Sequence, residues 1–106
     1  MGIIAGMSNP HELTLAEAIT MTHAYQSDTL FTGQTVAAKI SADAYLEIIN
    51  QHGCEAVRAY FAKNAAGELT LVIVGVDSNG NDMTSGKIMN RTENCPINCS
   101  QNSPLL

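Results

Sequence analysis

Arg58 and Tyr60 are the residues of this chain with the most chemistry to offer. They stand two apart in the run Cys54-Glu-Ala-Val-Arg-Ala-Tyr-Phe-Ala-Lys63. Alternate residues of a strand share a face, so a guanidinium and a phenol would sit side by side. That pair suits a small anionic ligand or a partner carboxylate. Val72 and Val74 are expected on the same face, which makes Arg58, Tyr60, Val72 and Val74 the candidate ligand or interface surface. The plainer alternative is an arginine whose stem covers apolar surface while its head reaches water or a local acid such as Glu47 or Glu55.

The thiols are the second set. Cys95-Pro-Ile-Asn-Cys99 offers two of the four ligands of a structural zinc, the others coming from Cys54, His52, His23 or His11. Zinc modules of this kind use two close cysteine pairs, and only one exists here. The spacing also departs from the Cys-x-x-Cys of thiol redox motifs. No metal and no cofactor is expected, and the default is reduced thiols in a tail, with a disulfide as the alternative. In His52-Gly-Cys54 a histidine near a cysteine could activate a thiolate. The bland reading is a helix end with a buried cysteine and an exposed histidine. Asp77-x-Asn79-x-Asn81 matches the first three ligand positions of an EF-hand loop. Its sixth position is Asp82 instead of glycine and its twelfth is Ile88 instead of glutamate, so a turn is expected. His23 is expected on a helix, packed or exposed. No phosphate-cradling glycine loop, Gly-x-Ser-x-Gly elbow or His-Glu-x-x-His motif occurs.

A β-hairpin positions most of these side chains. Asn64-Ala-Ala-Gly67 suits a type I turn closed by a left-handed residue at Gly67. Asn64 then opposes Glu68, and counting back pairs Phe61 with Leu71, Ala59 with Ile73 and Val57 with Gly75. That face is apolar, and Val57, Phe61, Leu71 and Ile73 are expected to be core. The other face pairs Tyr60 with Val72, Arg58 with Val74 and Ala62 with Thr70. Around the hairpin, Thr14-Leu-Ala-Glu17 reads as a capping box opening a helix with an inward stripe at Leu15, Ala18, Ile19, Thr22 and Tyr25 or Gln26. Residues 35–40 read as a short strand, and Ser41 caps a second helix that ends at Gly53. Asn79-Gly80 marks another turn, and Lys87-Ile-Met89 a last edge strand.

The chain has 106 residues, which predicts one domain, 1–106, with irregular segments at 1–11 and 90–106. The fold class expected is α+β: an antiparallel sheet of three to four strands centred on the hairpin, with two helices packed on one face. Net charge is −5, and the five basic residues are scattered at 39, 58, 63, 87 and 91. No basic stripe exists to neutralise phosphates, so nucleic acid is not expected as a partner. No stretch is apolar enough to span a bilayer, and the first residues lack the basic and apolar regions of a signal peptide. A cytoplasmic location is expected.

The run Leu71-Val-Ile-Val-Gly-Val-Asp-Ser-Asn-Gly-Asn-Asp-Met83, followed by Cys95-Pro-x-x-Cys99 and a terminal Asn-x-Pro-Leu, resembles a group of short uncharacterised bacterial proteins. The similarity runs from the first helix to the end of the chain and implies no activity. The functional expectation is therefore a small ligand-binding or protein-interaction module that self-associates as a homodimer. The runner-up is a small enzyme with a pocket around Arg58 and Tyr60, and a metal or thiol protein using Cys95 and Cys99 is the third reading. The strand 69–76 is apolar on both faces, so its second face needs cover from the tail, a ligand or another copy.

Overall fold

The computed structural model describes residues 9–90 and 92–106, so most of the expected irregular N-terminal segment lies outside the described residues. Two compact units are present: the chain up to Gly33 together with Ser100–Leu106, and Gln34–Cys99.

The first unit is built on helix α1, Leu15–Ser27. The capping box forms as its sequence requires. Thr14 Oγ1 accepts the Glu17 N–H at 3.1 Å, and the Glu17 carboxylate accepts the Thr14 N–H at 3.2 Å. The Thr14 hydroxyl, which donates to the Glu17 carboxylate at 2.8 Å, and then the Thr14 N–H hold the Glu17 carboxyl below its ordinary value. Ala18, Ile19, Thr22, Tyr25 and Gln26 are half-buried, whereas Leu15 is exposed. The end of the chain returns to this helix, where Gln26 Nε2 donates to Leu105 O at 2.9 Å and His23 Nε2 lies 3.1 Å from Pro104 O. A single helical turn at Thr29–Phe31 follows, and the Phe31 ring stacks on Tyr25 with centroids 4.8 Å apart.

The second unit carries strand β1 (Ala37–Lys39), helix α2 (Ala42–Ile49) and strands β2 (Ala56–Lys63), β3 (Leu69–Val76), β4 (Ile88–Met89) and β5 (Glu93–Cys95). The fold is α+β, with antiparallel sheets ordered β2-β3-β4 and β1-β5. The short strand expected at 35–40 thus pairs with a strand from the C-terminal segment, where no strand was expected. Lys39 and Glu93 clasp that pairing with an ion pair at 2.9 Å.

The hairpin register is the one its turn dictates: Phe61 faces Leu71, Ala59 faces Ile73, Arg58 faces Val74 and Val57 faces Gly75. Asn64 Oδ1 accepts from both Ala66 N and Glu68 N, and Gly67 takes φ +81, where a Cβ would be strained. The next turn repeats this design. Asp77 Oδ1 accepts from Asn79 N at 2.9 Å and Asn81 N at 3.0 Å. The same pairing rule then sets Asp82 opposite Val76, and Met83 N donates to Gly75 O at 2.8 Å. After an excursion at 84–87 the chain rejoins β3 as β4, pairing Ile88 with Val74 and Met89 with Ile73.

Gln51, just beyond α2, fastens that excursion. Its Oε1 accepts the Lys87 N–H at 2.7 Å while its Nε2 donates to Ile48 O at 2.9 Å. The approach requires missing side chains: a Cβ at Gly86 would lie 2.2 Å from Gln51 Oε1, and one at Gly75 would meet Gln51, Cys54 and Met83 at 3.0–3.3 Å.

The core is smaller than expected and displaced. Ile48 and Ile73 are fully buried, with Val74, Val76, Thr70 and Cys95 nearly so. Phe61, expected in the core, is 82% exposed, and Val57 is 37% exposed. The reason is length. Helix α2 has eight residues, about 12 Å, against about 26 Å for an eight-residue strand. Gln51 fastens the helix at the Gly75 end of the sheet, so it cannot also cover the turn end where Phe61 stands. Strand β2 is the sheet edge, exposed along its length except at Ala62.

Candidate functional site

The face of β3 that carries Thr70, Val72, Val74 and Val76 is covered from within the chain. At the turn end the Thr70 hydroxyl bonds Thr92 Oγ1 at 2.8 Å, and Asn94 Nδ2 reaches Leu69 O at 3.4 Å. At the other end Arg58 and Tyr60 project from β2 on this same face, and Asp82 sits beyond β3, opposite Val76. Arg58 Nη1 and the Tyr60 hydroxyl both donate to the Asp82 carboxylate, one to each oxygen, and Arg58 Nη2 reaches Gly80 O at 3.4 Å. The bonds therefore cross over β3. Val74 beneath them is 3% exposed and Val72 is half-buried. The four candidate residues are thus brought together, but as an arginine stem and a phenol roofing valines.

Electrostatics follow from that geometry. The Tyr60 hydroxyl, and then the Arg58 guanidinium, hold the Asp82 carboxyl below its ordinary value. Donation to Asp82 in turn raises the Tyr60 hydroxyl above its ordinary value and keeps the guanidinium charged. The acid that answers Arg58 is Asp82, not Glu47 or Glu55; Glu47 pairs with Lys87 at 3.5 Å. Sequence reasoning missed Asp82, yet a signal was there: Asp77-Ser-Asn-Gly80 repeats the Asn64-Ala-Ala-Gly67 pattern, and one pairing rule serves both turns.

The thiol expectations change. Cys95 and Cys99 form a disulfide, so the default of reduced thiols is corrected for this pair. Pairing β5 with β1 fixes Cys95, and the turn after it returns Cys99 to a Cα separation of 4.7 Å, within disulfide reach. Cys54 is free, and its Sγ donates to Ala56 O at 3.2 Å. His52 is exposed and makes no hydrogen bond to Cys54. Among the described residues no cluster of histidine, cysteine and carboxylate groups is arranged to hold a metal, and the Asp77 carboxylate is engaged in its turn. An open depression of about 430 Å³ lies beside α1, lined by His23, Ala24, Gln26, Ser27 and Leu106.

The remaining unusual surface is the outer edge of β2. Met83 donates to Gly75 O, so the Gly75 amide and carbonyl point away from β2, and in an antiparallel pair the residue opposite, Val57, points its own groups the other way. By alternation the N–H and C=O of Val57, Ala59 and Phe61 line an edge that no strand among the described residues pairs with. The exposed Val57 and Phe61 side chains rise beside it. No helix among the described residues is long and apolar enough to cross a membrane. The chain matches no protein-family model, and no curated protein or solved structure is similar to it.

Proposed function

We propose that this chain is a protein-interaction module that self-associates as a homodimer through the outer edge of β2. The single observation that carries this reading is an eight-residue edge strand, unpaired on its outer side among the described residues, beside a phenylalanine that is 82% exposed. Such an edge is a template for another strand, and main-chain hydrogen bonds to it give affinity while flanking side chains give specificity. Natural edges are commonly blunted by proline, inward charges or a covering helix. The outward positions here, Val57, Ala59 and Phe61, carry none of these. The ligand-binding reading of Arg58 gains less support, because its charge is already answered by Asp82.

Ala59→Pro tests the reading. The Ala59 N–H points outward, so proline removes no bond to β3 while blocking strand addition. Sedimentation equilibrium should show a concentration-dependent dimer for the natural chain and a folded monomer for Ala59→Pro. A natural chain that stays monomeric throughout, or a variant that associates equally well, refutes it.

A further inference from the structure

We infer that the partner at this edge is a second copy of β2 in one register, antiparallel about a two-fold axis through Ala59. This rests on the strand-edge reading above and adds to it what selects the register.

The sequence of β2 and its flank is complementary to itself about Ala59. The axis sets Val57 against Phe61 of the second copy, Arg58 against Tyr60, Ala56 against Ala62 and Glu55 against Lys63. Val57 with Phe61 and Ala56 with Ala62 then set apolar against apolar, and Glu55 with Lys63 sets acid against base, while Arg58 and Tyr60 stay directed over β3 to Asp82. The open groups belong to Val57, Ala59 and Phe61, and this register opposes open position to open position, so each such pair can exchange two main-chain bonds. Glu55 precedes β2 and its N–H turns inward to Val76 O at 2.8 Å, so its carboxylate meets Lys63 as a flank of the strand pairing rather than as a ladder position. Among the described residues neither Glu55 nor Lys63 takes part in an ion pair, so both charges are available.

Neighbouring registers fail on the same residues. Moving the axis to Arg58 sets the Glu55 carboxylate against Phe61 and Val57 against Ala59, so neither the apolar pair nor the acid–base pair survives. Moving it to Tyr60 sets Val57 against Lys63 and leaves Glu55 opposite an alanine. The axis through Ala59 joins two three-stranded sheets into one and puts Phe61 of each copy beside Val57 of the other on a common face.

Charge exchange and cross-linking of the full chain test the register. Glu55→Lys and Lys63→Glu should each weaken dimerisation about 3- to 30-fold, because symmetry places each substitution in the dimer twice. The double variant Glu55→Lys/Lys63→Glu restores opposite pairs and should return within about threefold of the natural chain. In a Cys54→Ser background, Ala59→Cys should form a covalent dimer on mild oxidation, since directly opposed hydrogen-bonded residues lie about 5.5 Å apart between Cα atoms. Failure of either the recovery or the cross-link, with Ala59→Pro still abolishing association, overturns this register and leaves the strand-edge reading standing. A natural chain that never dimerises, or Ala59→Pro that dimerises normally, overturns both.

Discussion

Truncating Ile73 and truncating Phe61 should have very different consequences, although both were expected in the same core. Ile73→Ala removes three carbons from a side chain that is 1% exposed. At about 0.8 kcal/mol per buried carbon the transfer loss is about 2.4 kcal/mol. A partly relaxed cavity between Ala59 and Met89 raises the cost to about 3–4 kcal/mol. Phe61 keeps 82% of its surface in water, so about a fifth of its burial energy is at stake, roughly 0.3–0.6 kcal/mol. Urea denaturation at a protein concentration low enough to keep the chain monomeric measures both. Ile73→Val, expected at about 0.5–1.5 kcal/mol, keeps the comparison alive if the alanine variant does not fold. A loss above about 2 kcal/mol for Phe61→Ala, or below about 1 kcal/mol for Ile73→Ala, would refute the placement of the core.

The Asp82 cluster predicts a pH dependence on two sides. Asp82 has a lowered carboxyl value, so its contribution to stability is present above the ordinary 3.8 and is lost as pH falls through the folded value. Tyr60 has a raised value, so its contribution is present below the ordinary 10.0 and is lost as pH rises through the folded value. Asp82→Asn should flatten both flanks of the stability profile, and the phenolate absorbance difference between the natural chain and Tyr60→Phe should show a late Tyr60 titration that Asp82→Asn moves earlier. Gly86→Ala should cost about 1–3 kcal/mol by displacing Gln51 from two hydrogen bonds, and adding Gln51→Ala should cost little more; additive losses in that cycle would show that Gln51 is not the obstacle. Thiol titration of the unfolded, unreduced chain should count one thiol, rising to three after reduction, with about 2 kcal/mol of stability lost for a loop this short.

Local rules carried the hairpin. Asn64 and Gly67 fix a turn by bonds within five residues, and once the turn is fixed every pair along β2 and β3 follows by counting. The same rule applied to Asp77 and Gly80 reaches Asp82, so the partner of Arg58 was legible in principle. The Cys95–Cys99 bridge was not, because spacing four is compatible with free thiols, a disulfide or metal, and the choice depends on how β5 is held by β1. That pairing joins residues more than fifty positions apart and leaves no periodic trace in either three-residue strand. Gln51 leaves none either: its importance lies in the space made by Gly75 and Gly86, which adjoin it only after folding.

Phe61 shows why apolar alternation could not locate the core. A strand with Val57, Ala59 and Phe61 on one face satisfies the pattern equally well when a helix covers it and when another chain does, since both remove the same apolar area from water. What separates the two cases is supply. Helix α2 spans less than half the length of the hairpin, and its fastening through Gln51 commits it to the Gly75 end. An apolar row that α2 is too short to cover is therefore a place to look for a partner. The opposite face makes the contrast: there Arg58, Tyr60 and Asp82, with Thr92 and Asn94, lie over Thr70, Val74 and Val76 from the same chain and leave them buried. The covered valine face thus leaves the edge of β2 and its phenylalanine as the surface on which the proposed self-association rests.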